Sequence, residues 1–532
     1  MAYRAVTLDN FGGLDLRSDP EDATPVRAID MLNVDLEKSG RVKSRPGTTK
    51  ITSKSTTTTW NSLITWVGGG TTNPQVLTIR PSTGVVEATN ASTGAAVAST
   101  TVSGADLPAR ITCSTMFGPP TSTTGILYFN ADGGDYLYKY DGTSFSGVVA
   151  VSGAAKHMAV QLPENRLVLA NTGTATYASR VVFSAPQDPE TFDLVNDYID
   201  LMPGDGEEIV GLANWGNYLF AFKQSTFFRF YGNQTDADGG TIFAYDFQKH
   251  NLQTPAASNK ICVAGREGVY FICKDGIYLT TGGPPRKVSA PLDPLFRGVD
   301  ETGFFASRTA SAAIGGGLYP TLGLYYADGK LFLIPGNDST LFVYDPQINQ
   351  WTYWEILNSA GMTIYGCTPV LLAGAAREVP AFLMVNAGPS TFESVISRLD
   401  PTMVNDERHS SQVGITTTYR TNFMDLGEPG SMKRVRDILV DGFMSTEQIN
   451  LSVDNAFDYA GLSAYSTNTV TTDPTGSPSA GTWPNYRIGQ ARVRIANRGT
   501  SFSFRITGNQ FVLSRAVLHT DAPRPAGVRV QT

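Results

Sequence analysis

The sequence predicts an all-β protein: a β-propeller of about seven blades, six being the alternative, with an extended N-terminal arm and a C-terminal β-sandwich-like domain. Three observations carry that expectation. The stretch Gly268–Gly283 reads Gly-Val-Tyr-Phe-Ile-Cys-Lys-Asp-Gly-Ile-Tyr-Leu-Thr-Thr-Gly-Gly, two short apolar runs about Asp275-Gly276. Asp-Gly supplies φ > 0 at low cost, so a tight type I′ hairpin centred on that pair is expected. Val269, Phe271 and Cys273 would point one way and Tyr270 and Ile272 the other. A strand apolar on both faces has to be covered on both, as a blade is between its neighbours. Similar strand–turn units recur at roughly 40–55-residue spacing from about residue 60 to about residue 400. Beyond that point the strands alternate apolar and polar, which is the pattern of a sheet buried on one face.

Composition agrees. The chain has 532 residues, too many for one ordinary core unless repeats carry the length. It holds 53 Gly and 30 Pro, with 41% apolar and only 17% charged residues, which favours strands and turns over helices and excludes a disordered chain. The cysteines Cys113, Cys262, Cys273 and Cys367 form no Cys-x-x-Cys pair. Ordinary buried thiols are expected, with a Cys262–Cys273 bridge as the less favoured reading. The N-terminus is too polar for a signal peptide, and no run of 18 uncharged apolar residues offers a membrane span. A soluble product of a reducing cytoplasm is expected.

In chain order, residues 1–59 form the arm and linker. Phe11-Gly-Gly-Leu-Asp-Leu16, Ala28-Ile-Asp-Met-Leu-Asn-Val-Asp35, a hairpin-like Lys38-Ser39-Gly40 and Arg45-Pro46-Gly47 are strand-compatible but too small for a core of their own. The arm should dock on another domain or subunit. Residues 51–59, rich in Ser and Thr, read as a linker or exposed edge.

Residues 60–404 hold the blades. Their strands include Ser62–Val67, Gly125–Phe129, Asn165–Ala170, Tyr218–Phe222, Val269–Cys273, Lys330–Ile334 and Ala381–Val385. Asp-Gly recurs at Asp132, Asp141, Asp205, Asp238, Asp275 and Asp328. Tyr140-Asp141 precedes Phe145, and Tyr344-Asp345 precedes Trp351, loosely like kelch-type propellers in which an aromatic of each blade packs on the next. Residues 405–532 form the third domain, with a long Ser/Thr/Asn/Pro/Gly-rich loop at 463–485.

No catalytic constellation emerges. Gly-x-x-x-x-Gly-Lys-Ser/Thr, His-Glu-x-x-His and Gly-x-Ser-x-Gly are absent, and His157, His250, His409 and His519 are isolated in sequence. The stretch Glu190–Glu208 carries seven acids and no base and reads as a solvated or channel-facing loop. Paired acids such as Glu207 and Glu208 are what a glycan-degrading alternative would draw on. Asn130–Asp135 and Asp236–Gly239 resemble calcium loops faintly but lack the bidentate Glu. No catalytic, cofactor-binding or metal-ligating set is therefore assigned, and no cofactor is expected. Residues 405–532 hold 13 Lys/Arg against 11 Asp/Glu, and residues 1–404 hold 28 against 37. That is not the concentrated basic face of a DNA binder.

Several of these pieces resemble the tail hub, or nozzle, proteins of short-tailed bacteriophages. The arm motifs Phe11–Leu16, Ala28–Asp35 and Arg45-Pro46-Gly47 are similar to that family's opening. Pro203-Gly-Asp-Gly-Glu207 with Leu219–Lys223, and Val269–Tyr278 with Gly282-Gly283, Val288-Ser289 and Pro291, are similar to its middle. The resemblance implies a non-enzymatic virion protein assembled as a ring of six copies. Such a ring would join portal-side adaptor proteins to tail fibres or spikes and conduct DNA during ejection without gripping it. A propeller that binds host glycan or receptor, and a glycan-degrading propeller enzyme, are the alternatives. Trp351-Thr-Tyr-Trp354 would be the sugar-stacking candidate of the former, although a Trp on a blade strand is more often core.

Overall fold

The computed structural model describes residues 3–17, 27–56, 59–68, 74–103, 110–118, 125–131, 136–148, 155–162, 164–172, 177–235, 241–249, 260–297, 323–335, 339–357, 362–372, 375, 377–387, 392–408, 411–424, 433–444, 449–456, 470–472, 487–499, 501–509 and 511–521. Among the described residues it is almost wholly β, the helical elements being a 3₁₀ turn (Ala290–Leu292) and the short helix α1 (Asp293–Arg297), with a further 3₁₀ residue at Tyr177. No helix among the described residues is long and apolar enough to cross a membrane.

The N-terminal segment supplies β1 (Tyr3–Asp9), β2 (Ala28–Leu32), β3 (Val34–Leu36), β4 (Val42–Ser44) and β5 (Gly47–Thr56). Sheet one is β6–β9 (Asn61–Trp66, Gln75–Ile79, Val85–Asn90, Ala96–Thr101). Sheet two is β10–β13 (Ile111–Phe117, Ile126–Ala131, Leu137–Tyr140, Phe145–Val148). Sheet three is β14–β18 (Ala155–Gln161, Arg166–Thr172, Arg180–Ala185, Asp188–Phe192, Tyr198–Asp200). Sheet four is β19–β22 (Gly211–Trp215, Tyr218–Phe222, Thr226–Thr235, Thr241–Lys249). Sheet five is β23–β26 (Cys262–Ala264, Val269–Cys273, Gly276–Thr280, Arg286–Lys287). Sheet six is β27–β30 (Gly323–Ala327, Lys330–Ile334, Thr340–Asp345, Gln350–Glu355). Sheet seven begins with β31–β33 (Met362–Val370, Val379–Ala387, Phe392–Asp400). There follow β34 (Asn405–Glu407), β35 (Gln412–Gly414), β36 (Thr416–Thr421), β37 (Lys433–Met444), β38 (Ile449–Ala456), β39 (Val470–Thr472), β40 (Arg487–Gly499), β41 (Ser501–Asn509) and β42 (Phe511–Asp521).

Within each of the first seven sheets, consecutive strands pair antiparallel, except that β18 of sheet three pairs with β16 and not with β17. The first strand of each sheet lies beside the first strand of the next, and β31 lies beside β6, so the circuit closes. Burial follows that arrangement. All five residues of β24 are buried. Val269, Phe271 and Cys273 pack with Phe220, Phe222 and Phe227 of sheet four. Tyr270 and Ile272 turn the other way, toward Leu331, Leu333 and Tyr344 of sheet six. The aromatics of the Tyr-Asp repeats pair across neighbouring strands of one sheet, not from one sheet to the next: Tyr140 stacks on Phe145 at 4.3 Å, and Tyr344 meets Trp351 at 5.0 Å. Tyr344 also reaches Tyr270 of the preceding sheet at 6.3 Å.

Sheet seven is completed from the other end of the chain. β5 pairs antiparallel with β33, from Phe392↔Thr56 to Asp400↔Gly47, and β34 adds in parallel at Asp406↔Thr48. This corrects the linker reading for residues 51–56. A Ser/Thr-rich run is β-competent, and here it is an inner strand, with Ile51 buried against Trp60 and Ile396. Two more sheets use the remaining strands. One runs β3-β4-β42-β37-β40 with β1 on β42, and the other runs β2-β36-β41-β38-β39. Val435, Ile438 and Leu518 of the first meet Tyr419, Phe502 and Phe504 of the second in one core, which Leu8, Met31 and Val34 enter from the N-terminal segment. The 463–485 loop lies outside the described residues except for 470–472, and the turns at Asp132 and Asp238 lie outside them too.

The Gly268–Gly283 hairpin needs one correction. Cys273 pairs with Gly276, so the two loop residues are Lys274 and Asp275, and neither has positive φ. The type I′ geometry occurs instead at Asp328-Gly329, with φ of 50° and 73° between Ala327 and Lys330. Gly276 matters for another reason. At φ +156° a Cβ would sit 2.5 Å from both Ser289 Oγ and Lys287 Cε. Ser289 Oγ accepts the Ile277 N–H at 2.8 Å, so displacing it also costs that bond. We expect Gly276→Val to lose on the order of 2–4 kcal/mol of stability through overpacking and backbone strain. Denaturant unfolding checks this, and a change within 0.5 kcal/mol would contradict it.

Candidate functional site

The surface most unlike that of an inert monomer belongs to sheets three and four. Among the described residues, the large apolar side chains left exposed are Val97, Tyr136, Leu162, Tyr177, Leu194, Val195, Tyr231, Tyr245 and Phe247. All but the first two fall on the strands of these two sheets or in the segments that join them. Exposed apolar side chains that recur along one stretch of the chain, here 162–247, are candidates for an interaction surface.

The turn between β17 and β18 presents its apolar tip rigidly. Leu194 is 46% and Val195 77% exposed. Asp193 caps that turn: its carboxylate accepts from Val195 N at 2.9 Å, Asn196 N at 3.1 Å and Asn196 Nδ2 at 2.8 Å. These bonds, the Asn196 side chain foremost, hold its pKa below the ordinary range. Arg180 lies 3.6 Å over the Tyr198 ring and 4.5 Å from that of Tyr177, and donates two 2.8 Å bonds to Asp200. On sheet four, Tyr245 and Phe247 share one face of the outer strand and pack on Phe228.

Most of the acids of 190–208 are tied down by hydrogen bonds; the carboxyl of Asp197, whose pKa burial raises, has only Arg166 at 3.9 Å among the described residues. Lys223 is fully buried, and its ammonium donates to both Asp205 oxygens at 2.7 and 2.6 Å and to Leu201 O at 2.9 Å. The Pro203–Glu207 motif is thus a loop pinned by a buried cation. Glu207 accepts from Ser225 Oγ at 2.6 Å and Ser225 N at 3.0 Å. Glu208 accepts from Lys156 at 2.9 Å and Asn171 at 2.8 Å. Burial would raise the Glu208 pKa, but these bonds outweigh it and hold the pKa below the ordinary range. A glycosidase general acid requires the opposite shift. We expect Lys223→Met to leave Leu201 O without its partner and cost about 1–3 kcal/mol. Limited proteolysis should then cut at 203–206 faster than in the wild type, and unchanged cleavage would contradict the pin.

The other candidates do not converge. His157 lies on sheet three, buried; burial first, then Lys156, lowers its pKa to about 4. His519 lies on β42 against Asp437. His250, His409 and Asp236–Gly239 lie outside the described residues, as does most of Asn130–Asp135. No group of three or more His, Cys, Asp or Glu among the described residues is placed to hold a metal ion. All four cysteines are free thiols. Trp351 and Trp354 are buried, with indole N–H groups donating to Val288 O at 2.8 Å and Val34 O at 2.6 Å, so neither ring is open to a sugar.

Sequence reasoning passed over the most heavily bonded polar cluster. Arg45, 1% exposed, pairs with Asp406 at 2.6 and 3.0 Å through both guanidinium amino nitrogens. It also donates to Asn33 Oδ1 at 2.9 Å, Pro46 O at 2.9 Å and Glu355 O at 2.6 Å. Arg45-Pro46-Gly47 was the only local signal. It ties the N-terminal segment, sheet six and β34 together, which is scaffolding rather than chemistry. No protein-family model matches the chain, and no curated protein matches it either.

Proposed function

We propose that this chain is a structural virion protein of a short-tailed phage: a seven-bladed propeller, each of sheets one to seven being a blade, joined to a β-sandwich and assembled into a ring that serves as tail hub or nozzle. In this reading the N-terminal segment locks the last blade and both sandwich sheets. The ring, of six copies, joins portal-side adaptor proteins to fibres or spikes, and DNA passes through it without sequence-specific binding.

The observation that carries the reading is the exposed apolar set on and around sheets three and four. Cyclic assemblies close by repeating one heterologous contact, and such a surface supplies one half of it. Net acidity over residues 1–404 disfavours retention of DNA phosphates. The motifs behind the phage resemblance occupy framework positions: Arg45 at the buried ion pair, Asp205 on Lys223, and Val269–Cys273 between two sheets.

The test compares wild type with the double variant Leu194→Asp/Val195→Asp. Both side chains are exposed, so folding should be unchanged. Incorporation into tail particles, or ring formation with purified head–tail partners, should fall at least tenfold. A chain that never enters particles, in either form, contradicts the reading.

A further inference from the structure

Asp35 of β3 and Lys330 of β28 meet where the N-terminal segment crosses sheet six, on the wall of a cleft of about 200 Å³ that Lys43, Asp328, Trp354 and Arg377 also line. The Lys330 ammonium donates to Asp35 Oδ1 at 2.5 Å. That contact sets Nζ about 3–3.5 Å from Asp35 Cγ, the spacing of a near-attack arrangement. Both side chains are largely withdrawn from water, Lys330 being 19% and Asp35 14% exposed. The Lys330 nitrogen also lies 5.7 Å over the Trp354 ring. Among the described residues, Asp35 is the hydrogen-bond acceptor of Lys330. Lys223 makes a similarly short contact with Asp205, but it donates to Leu201 O and Met202 O as well, which closes off its nitrogen.

A third carboxyl completes the set. Asp328 opens the type I′ turn that leads into Lys330, and it interacts electrostatically with both Lys330 and Asp35. Burial raises its pKa above the ordinary range, with Arg377 and Lys330 opposing and Asp35 adding. The other charges of the cleft stand further off. Lys43 lies 3.7 Å from Asp35 and 3.8 Å from Glu37, and Arg377 lies 3.5 Å from Asp328.

We propose that Lys330 and Asp35 join through a spontaneous isopeptide bond, a covalent cross-link between the N-terminal segment and sheet six. The proton of the short contact passes from Lys330 Nζ to Asp35, leaving an amine that faces a neutral carboxyl. The nitrogen lone pair attacks Cγ and forms the C–N bond. Asp328 gives its proton to the departing hydroxyl, which leaves as water into the cleft, and takes one back from the nitrogen. One ammonium and one carboxylate thus give one amide and one water, with no oxidant or activating group. Withdrawal from water disfavours the charged pair relative to the neutral amide, and it slows hydrolysis of the product. The inference stands apart from the proposed ring, because both residues belong to one chain.

The full-length chain is purified, denatured and weighed by intact-mass spectrometry. The wild type should fall short of the sequence mass by one water, and its digest should contain a branched peptide joining the Asp35 and Lys330 segments. Lys330→Arg, which keeps the ion pair, and Asp35→Ala should each show the full sequence mass. Asp328→Asn keeps a residue that tolerates positive φ while removing the acid, and should yield at least tenfold less of the cross-linked species. A wild type of full mass, a missing water without the branched peptide, or a mass deficit that survives in Lys330→Arg would overturn the proposal. An Asp328→Asn chain cross-linked as fully as the wild type would overturn the role given to Asp328.

Discussion

Replacing Arg45 with Met should cost about 3–5 kcal/mol of stability, among the largest effects of any single substitution in this chain. The magnitude comes from what stays behind. Asp406 is 2% exposed, and its second oxygen also accepts the Leu357 N–H at 3.0 Å. Without the guanidinium it is a buried carboxylate with one neutral donor, and Glu355 O and Asn33 Oδ1 lose partners too. Arg45→Lys should recover little, because an ammonium cannot reproduce the planar two-pronged contact with the carboxylate. Adding Asp406→Leu to Arg45→Met should cost less than the sum of the single changes, since it removes the stranded charge. Unfolding free energies of the four proteins check this. Additive losses, or an Arg45→Met loss under 1 kcal/mol, would contradict the role assigned to the pair.

Removing residues 1–59 should abolish cooperative folding. The segment supplies β5 to sheet seven, β2 to β36, and β1 and β4 to β42. It also buries Leu8, Phe11, Leu14, Leu16, Met31, Val34 and Val42 in the core shared with sheets five and six. At about 1.5–3 kcal/mol for each such side chain, the loss reaches the whole of an ordinary ~5–15 kcal/mol stability. Val395 and Ile396 of β33 would face a vacant edge. The truncated chain is expected to aggregate, and co-expression of residues 1–59 as a separate polypeptide should restore soluble protein. A truncated chain that melts like the full one would show that the segment is an accessory.

Local pattern carried some of this architecture and was blind to the rest. The two-sided burial of Val269–Cys273 was legible because each of its five residues is apolar, and only a strand between two layers uses that. The alternation in Val435–Val440 and Phe502–Ile506 picked out the core face correctly, in Val435, Ile438, Val440, Phe502, Phe504 and Ile506, but the opposite face is not simply wet, since Asp437 and Ser503 are buried as well. β5 was not legible, because Ser and Thr are common to linkers and strands and its partner lies at 392–400. Arg45 was read as part of a motif but not as an ion pair, since Asp406 is distant in sequence. Lys223 closes an apolar run and gave no sign that its ammonium turns inward onto Asp205. The hairpin turn was misplaced by one residue because Asp-Gly fits a loop, while Gly276 is kept for space beside Ser289.

The central proposal is that copies of this chain close into a ring. Native mass spectrometry of the 57.1 kDa chain, purified alone and with its head–tail partners, tests it most directly when paired with electron-microscopic class averages. The account predicts a closed ring of six copies that survives at particle-like concentrations and disappears in the Leu194→Asp/Val195→Asp variant. A monomer at every concentration, with or without partners, would contradict it.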